Sequence, residues 1–324
     1  MSPYEELLER IAAEPRNDEP RLVCADLLTD SDAARAELIH AQVALGGRVD
    51  PARRRDLQRK VDALLAANAA RWRKPLDEAK AADVRFTRGF VEEAALNEES
   101  LAKHGAALFA REPLHRLRVV AHHGRALAEA AAQPWFSRVR QLSLIAGAVD
   151  TAVKVLAAAP HVGKLRGLLL SGASDAAVLA LADSEALPGL RSLCLGSSEL
   201  SDEAAAALGN GKLALERLYL SGTGLSDEGA EALAKGKGLA SLRLLALNRN
   251  SLSDEGAEAL AKSKALTALE RLELSKNELS EEGALAFRSP KALPKLRRLE
   301  LQDMGLSPRE LEPLRKRLGP GLRL

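Results

Sequence analysis

Leu225-Ser226-Asp227-Glu228-Gly229-Ala230-Glu231-Ala232-Leu233-Ala234-Lys235 recurs residue for residue as the stretch Leu252 to Lys262, 27 positions later. Ahead of each copy stands a shorter word: an apolar residue, two variable residues, an apolar residue, one variable residue and an apolar residue. Leu215-Glu216-Arg217-Leu218-Tyr219-Leu220 and Leu242-Arg243-Leu244-Leu245-Ala246-Leu247 both spell it. The word occurs eight times between Leu114 and Leu301 at intervals of 25 to 27 residues, starting at Leu114, Val139, Leu165, Leu190, Leu215, Leu242, Leu269 and Leu296. A fixed period of this length marks a chain built by stacking copies of one supersecondary unit.

The unit itself can be read from its spacing. Leu218 and Leu220 alternate with Tyr219, the period of a short strand with one face buried. A turn follows and leads to Ser201, Ser226, Ser253 or Ser280, each placed to cap a helix. The acids that come next, Asp202/Glu203, Asp227/Glu228, Asp254/Glu255 and Glu281/Glu282, sit where the helix dipole favours negative charge. Helices of two to three turns are predicted, with Ala230 and Leu233 or Ala234 on one face and Gly236 able to close the helix. One such unit buries too few side chains to fold alone, so neighbours must stack, strand beside parallel strand and helix beside helix. Strands sit about 4.8 Å apart and helices about 10 Å, which bends the stack into a horseshoe with strands inside and helices outside. Eight strands give a concave face about 38 Å long.

Repeats of this length with a true helix resemble the ribonuclease-inhibitor-like subclass of leucine-rich-repeat proteins over about residues 114–306. Asn250 and Asn277 match that family's asparagine, which by the resemblance satisfies backbone groups in the turn after the strand; Thr223, Ser198, Ala173 and Met304 occupy the position in other copies. The N-terminal segment resembles the bacterial repeat-companion domain that precedes degenerate leucine-rich repeats. The matching words are Asp18-Glu19-Pro20-Arg21-Leu22-Val23-Cys24-Ala25-Asp26-Leu27-Leu28, Arg35-Ala36-Glu37-Leu38-Ile39-His40-Ala41-Gln42 and Arg88-Gly89-Phe90-Val91-Glu92. Cys24 and Leu27 stand where that family usually carries aromatics, and the resemblance brings no chemistry with it.

Read from its own residues, the segment 3–81 is mostly helical. Leu7, Leu8 and Ile11 form one apolar stripe, Leu38, Ile39 and Val43 a second, and Leu57, Val61, Leu64 and Leu65 a third. Gly46-Gly47 separates the second from the third, and Pro51 suits a helix start. Val84, Phe86 and Phe90 around Arg88-Gly89 read as a short β element. The expected organisation is a helical companion domain over 1–82 that covers the apolar end of the array, and a solenoid over 83–324. At the far end Ser307-Pro308-Arg309-Glu310 reads as a capping box opening a last helix, whose Leu311, Leu314 and Leu318 seal the final repeat.

Composition narrows the function. The 324 residues carry 47 basic and 45 acidic side chains, a net charge of +2, so bulk charge points neither to nucleic acid nor to an anionic membrane. Aromatics are 3% of the chain, which suits a thin repeated core rather than a ring-lined pocket. Two widely separated cysteines, an acidic start in MSPYEELLER and no apolar run of about 18 residues lead to the expectation of a cytoplasmic protein without disulfides.

No catalytic, cofactor or metal motif emerges. Gly209-Asn210-Gly211-Lys212 lacks the upstream glycine and following hydroxyl residue of a phosphate loop and reads as a turn. His122-His123 are adjacent and have no third ligand at zinc spacing, and Cys24 has no histidine partner. The stretch 53–74 gathers Arg53, Arg54, Arg55, Arg59, Lys60, Arg71, Arg73 and Lys74 against Asp56 and Asp62, a local basic patch.

The outward side of the strands can be counted out. The third position of each word carries Arg116, Gln141, Gly167, Ser192, Arg217, Leu244, Arg271 and Arg298; the fifth carries Arg118, Ser143, Leu169, Cys194, Tyr219, Ala246, Glu273 and Glu300. In the middle, Leu169, Cys194, Tyr219, Leu244 and Ala246 form a strip of low charge. Beyond it Arg271, Glu273, Arg298 and Glu300 alternate in sign as an ion-pair ladder, with Arg217 at the boundary. An apolar strip inside a polar rim is the usual pattern of a protein-binding hot spot. The reading is a non-enzymatic scaffold that binds a partner protein on the concave face. Two alternatives stand beside it: a targeting or regulatory subunit of an enzyme, and polyanion binding through 53–74. Neither the partner nor the oligomeric state is written in the sequence.

Overall fold

The computed structural model describes residues 2–145, 147 and 149–324, which fall into two compact units. The first comprises residues 1–120 and 125–142, the second 121–124 and 143–324.

In the first unit four helices come first: α1 (Pro3–Ala13), α2 (Glu19–Leu28), α3 (Ala33–Gly46) and α4 (Pro51–Glu78). Ser2 and Glu5 make a capping box at the start of α1, and Asp50 caps α4 just ahead of Pro51. The first apolar stripe is buried at Leu7, Leu8 and Ile11 and meets Cys24, Ala25, Ile39 and Phe90 in one core; Leu38, Ala41, Val61 and Trp72 make a second. A hairpin follows, β1 (Phe86–Thr87) and β2 (Phe90–Val91). Its turn holds Arg88 and Gly89 at positive φ, and a side chain at Gly89 would collide with Ile39, so only glycine fits.

The repeats begin earlier than the leucine count predicts. A strand β3 (Glu93–Asn97) and helix α5 (Glu98–Phe109) precede β4 (Arg116–Val120) and α6 (Arg125–Ala131), and β3 pairs with β4 in parallel. Val91-Glu92-Glu93-Ala94-Ala95-Leu96 does spell the word, with alanine at its middle apolar position, and Asn97 caps α5 in place of serine. A strand β5 (Gln141–Ile145) then starts in this unit and ends in the second.

Two buried ion pairs tie the helices to these first repeats. Arg21 of α2 bonds Glu92, and Arg35 of α3 bonds both carboxylate oxygens of Glu112 at 2.8 and 2.9 Å. Glu112 also accepts from the Val91 amide at 2.8 Å. The Arg35 guanidinium lies over Trp72, Phe86 and Phe90 at 4.8 to 5.4 Å from the ring centres, so aromatic faces complete its surroundings.

The second unit is built from α7 (Val149–Leu156), β6 (Gly167–Ser171), α8 (Asp175–Ala182), β7 (Ser192–Gly196), α9 (Asp202–Asn210), β8 (Arg217–Tyr219), α10 (Asp227–Lys235), β9 (Leu244–Ala246), α11 (Asp254–Ala261), β10 (Arg271–Glu273), α12 (Glu281–Leu285), β11 (Arg298–Glu300), α13 (Glu312–Leu318) and β12 (Leu322–Arg323). From β6 to β12 each strand pairs in parallel with the next. This is an α/β solenoid, its inner leucines Leu218, Leu220, Leu245, Leu247, Leu272 and Leu274 wholly buried.

The serines cap as expected, Ser226, Ser253 and Ser280 each accepting from a backbone amide two residues on. The aspartates do more than complement a dipole. Asp202 accepts from the backbone amide and hydroxyl of Ser226 in the next repeat, Asp254 does the same for Ser280, and Asp227 accepts from Ser253 and also from the Gly256 amide at 3.0 Å. A Cβ on Gly256 would lie 2.3 Å from the Asp227 carboxylate, so the repeated glycine is required by this close approach.

The asparagines run a second ladder in the turns. Asn250 Oδ1 accepts from the Thr223 and Leu225 amides while its Nδ2 donates to the Leu220 and Leu247 carbonyls; Asn277 repeats the pattern one step on. Where asparagine is missing, Ser198 accepts from the Ala173 amide at 3.0 Å and Thr223 donates to the Leu220 carbonyl at 2.9 Å.

The C-terminal end differs from expectation. Residues 308–311 form turns, and α13 starts at Glu312 rather than beside Ser307. Pro313 accounts for this: it lacks the N–H that a helix begun at Pro308 would need there, but it is tolerated in the first turn of a helix begun at 312. Leu311 and Leu314 are buried, and the chain adds a final strand, β12, paired with β11.

Replacing Gly256 with Ala should destabilise the protein by about 1–3 kcal/mol, although the same change in an ordinary helix gains up to about 1. Asp227→Ala should cost a similar amount through lost hydrogen bonds. The double variant should be much less unstable than the sum, because the clash needs both side chains. Additive denaturation midpoints would refute the contact.

A second expectation concerns His115, which is 2% exposed, with Nδ1 donating to the Pro113 carbonyl at 3.1 Å. Burial pushes its pKa below the usual histidine value, outweighing the pull of Glu92. The unfolded chain therefore binds this proton first, and stability contributed above pH about 6.5 is lost as pH falls through it. Melting temperature should drop from pH 7.5 to 5.5, with a shallower slope in His115→Asn; an unchanged slope would assign the pH dependence to other groups.

Candidate concave binding face

The strand registers set the outward side chains in two rows. One reads Gly167, Ser192, Arg217, Leu244, Arg271, Arg298; the other reads Leu169, Cys194, Tyr219, Ala246, Glu273, Glu300, Arg323. Leu169 is 40% exposed, and Tyr219, Cys194 and Leu244 are half-buried. The alternation that sends Leu218 and Leu220 inward thus leaves a leucine and a tyrosine facing out.

Ala246 is a correction. Counted among the outward positions, it is only 1% exposed. Its methyl sits in register between the larger Tyr219 and Glu273, which stand higher on the sheet and cover it. Among the outward side chains outside the candidate set read from the sequence are Ile145 and Arg323. Ile145, 38% exposed, is one further step along the alternation of β5, and Arg323 arrives on the unexpected strand β12, in register with Glu300.

The ladder beyond the strip is closed on itself. Arg271 reaches Glu273 at 2.7 Å and Glu300 at 2.8 Å, Arg298 reaches Glu300 at 3.1 Å, and Asn248 donates to the second oxygen of Glu273 at 2.9 Å. Exposed ion pairs of this kind contribute about 0–1 kcal/mol each, so their effect is on the shape and charge of the face. Arg217 is exposed and has no ion-pair partner among the described residues; its register neighbours are Ser192 and Leu244.

The remaining candidates have structural partners. Within the basic stretch on α4, Arg59 pairs with Asp56, Lys60 with Glu37, Arg71 with Asp32, Arg73 with Asp77 and Lys74 with Glu78, while Arg54 and Arg55 donate to backbone carbonyls. Cys24 is wholly buried, and burial pushes its thiol up to about 12, so it is held as the un-ionised thiol. Among the described residues no cluster of His, Cys, Asp or Glu is arranged to hold a metal ion, and no helix is long and apolar enough to cross a membrane.

A sequence model described as "Leucine Rich repeat" matches residues 214–234, 238–261 and 265–287. Each segment covers one strand and its helix, from β8 through α12, so the chain carries leucine-rich repeats. Among solved structures, the crystal structure of the Rad7 and Elc1 complex in yeast is similar at a TM-score of 0.39 and 16% identity, over 90% of this chain and 85% of that chain. No curated protein sequence matches significantly.

The two thiols should separate in a native titration with a disulfide reagent. Cys194, half-buried on the outward row with its thiol raised by burial, should react slowly, and Cys24 only once the protein is unfolded. Stoichiometric native labelling of both would contradict the core around α2.

Proposed function

We propose that the protein is a non-enzymatic scaffold whose concave strand face, centred on Leu169, Tyr219 and Leu244, binds a partner protein. The observation that carries this reading is the exposure of an apolar strip on the side of the sheet that faces away from the leucine core. A fold that already buries every inner leucine gains nothing from these side chains, whereas a partner docked there removes them from water. In this reading Cys194 is part of the strip floor, Ala246 a filler beneath it, and Arg217 with the Arg271–Glu273–Arg298–Glu300 ladder its polar rim.

The helical segment 1–82 acts in this proposal as a cap on the first repeat, which begins with β3 after the β1–β2 hairpin. A solenoid exposes the apolar side of its first repeat, and the pairs Arg21–Glu92 and Arg35–Glu112 support the helices in covering it. The polyanion reading of residues 53–74 loses support, since most of those cations are matched by neighbouring carboxylates.

Immobilised wild-type protein, Tyr219→Asp, Leu244→Asp and Leu218→Ala test the reading by capture from native lysate and calorimetry on the purified partner. Tyr219→Asp should weaken binding by at least about 30-fold, equivalent to about 2 kcal/mol, while changing stability by only about 1 kcal/mol. Leu218→Ala empties a core site and should cost roughly 2–5 kcal/mol of stability. Unchanged affinity in both aspartate variants would move the site elsewhere on the molecule.

A further inference from the structure

The charges on the concave face of the second unit are unequal in a way that selects a partner. Its two outward rows hold four arginines, Arg217, Arg271, Arg298 and Arg323, and two glutamates, Glu273 and Glu300, leaving 4 − 2 = +2. The imbalance in what a ligand can reach is larger than that count. The glutamate side chains are 12% and 16% exposed and already engaged: Glu273 accepts from Asn248 and is ion-paired with Arg271, and Glu300 accepts from Arg271 and is ion-paired with Arg298, whereas the Arg271 and Arg298 side chains are 36% and 39% exposed. The anions are turned into the ladder and the cations stand above it. Arg217, on the same strand as Tyr219 and in register with Leu244, adds a guanidinium beside the apolar strip with no carboxylate among its register neighbours.

From this we infer that the occupant of the concave face is an acidic segment of a partner protein, with an apolar side chain on Leu169 and Tyr219 and a carboxylate on Arg217. The inference rests on the concave face being the binding surface. A planar guanidinium takes a carboxylate through two parallel hydrogen bonds, and next to an apolar contact that excludes water the pair is less screened than in the open. A basic segment would meet Arg217 unpaired and find the glutamates already occupied.

A random 12-residue peptide library selected on the immobilised full-length protein reads this out without a known partner. The selected peptides should share an aromatic or aliphatic residue flanked by Asp or Glu. A synthetic peptide of the leading sequence should bind at least tenfold more weakly to Arg217→Glu, lose less with Arg217→Lys, which keeps the charge but not the two parallel hydrogen bonds, and weaken as NaCl rises from 0.1 to 0.5 M, by the amounts exposed charges are screened. Selected peptides that are neutral or basic, lose binding with Tyr219→Asp and ignore Arg217→Glu would overturn the acidic partner and keep the concave site. Peptides indifferent to Tyr219→Asp, or a library that returns none competing for this face, would overturn both. Tight binding of a 20-nucleotide single-stranded RNA with the same Arg217 dependence would replace the acidic protein segment by a polyanion.

Discussion

In five successive helices, α7 to α11, an aspartate of the first turn reaches across to the next repeat, where it accepts from the serine that starts the following helix. Asp202, Asp227 and Asp254 hold Ser226, Ser253 and Ser280 this way, and the repeated glycine exists because the carboxylate occupies the space a side chain would need. The stack depends on this contact. Leucines supply most of the burial, but they are non-directional and tolerate sliding; a carboxylate accepting an amide and a hydroxyl does not. With helix starts fixed from one repeat to the next, the strands keep an unbroken parallel register from β6 to β12, and the outward rows line up into a continuous surface.

The same logic explains how much could be read from the chain alone. Strand positions, capping serines and the buried or outward side of most strand residues follow from periods of two and about 26, which are local and repeated, so each copy confirms the others. The turn role of Asn250 and Asn277 came instead from the resemblance to leucine-rich-repeat proteins, since Thr223, Ser198, Ala173 and Met304 stand there in other copies. What escaped was either weakly spelled or made by contacts far apart in sequence. The strand at 93–97 carries Ala94 where other copies of the word carry leucine, and β12 has only two residues. The pairs Arg21–Glu92 and Arg35–Glu112 join residues 71 and 77 positions apart, a separation that no periodicity registers.

The candidate face was legible in direction but not in height. Counting alternation places Leu169, Tyr219, Leu244 and Ala246 on one side, yet whether each is reached by solvent depends on the size of its neighbours across the strands. Ala246 lies beneath Tyr219 and Glu273, while Leu169 has the smaller Cys194 beside it and stands clear. Likewise the sequence shows alternating arginine and glutamate, but the folding of their side chains makes the glutamates the enclosed partners and the arginines the exposed ones.

The direction of the aspartate contact has a consequence for how the chain is made. In every instance the acceptor precedes the donor, so a repeat leaving the ribosome finds the carboxylate that fixes its helix start on a repeat already synthesised. The array can then grow as an ordered polymer does, each added unit templated by the finished end. Within the first unit Arg21 and Arg35 likewise precede Glu92 and Glu112, so the helices that carry these guanidiniums emerge before the carboxylates they hold, and the order of translation coincides there too with the order in which a repeat meets its support.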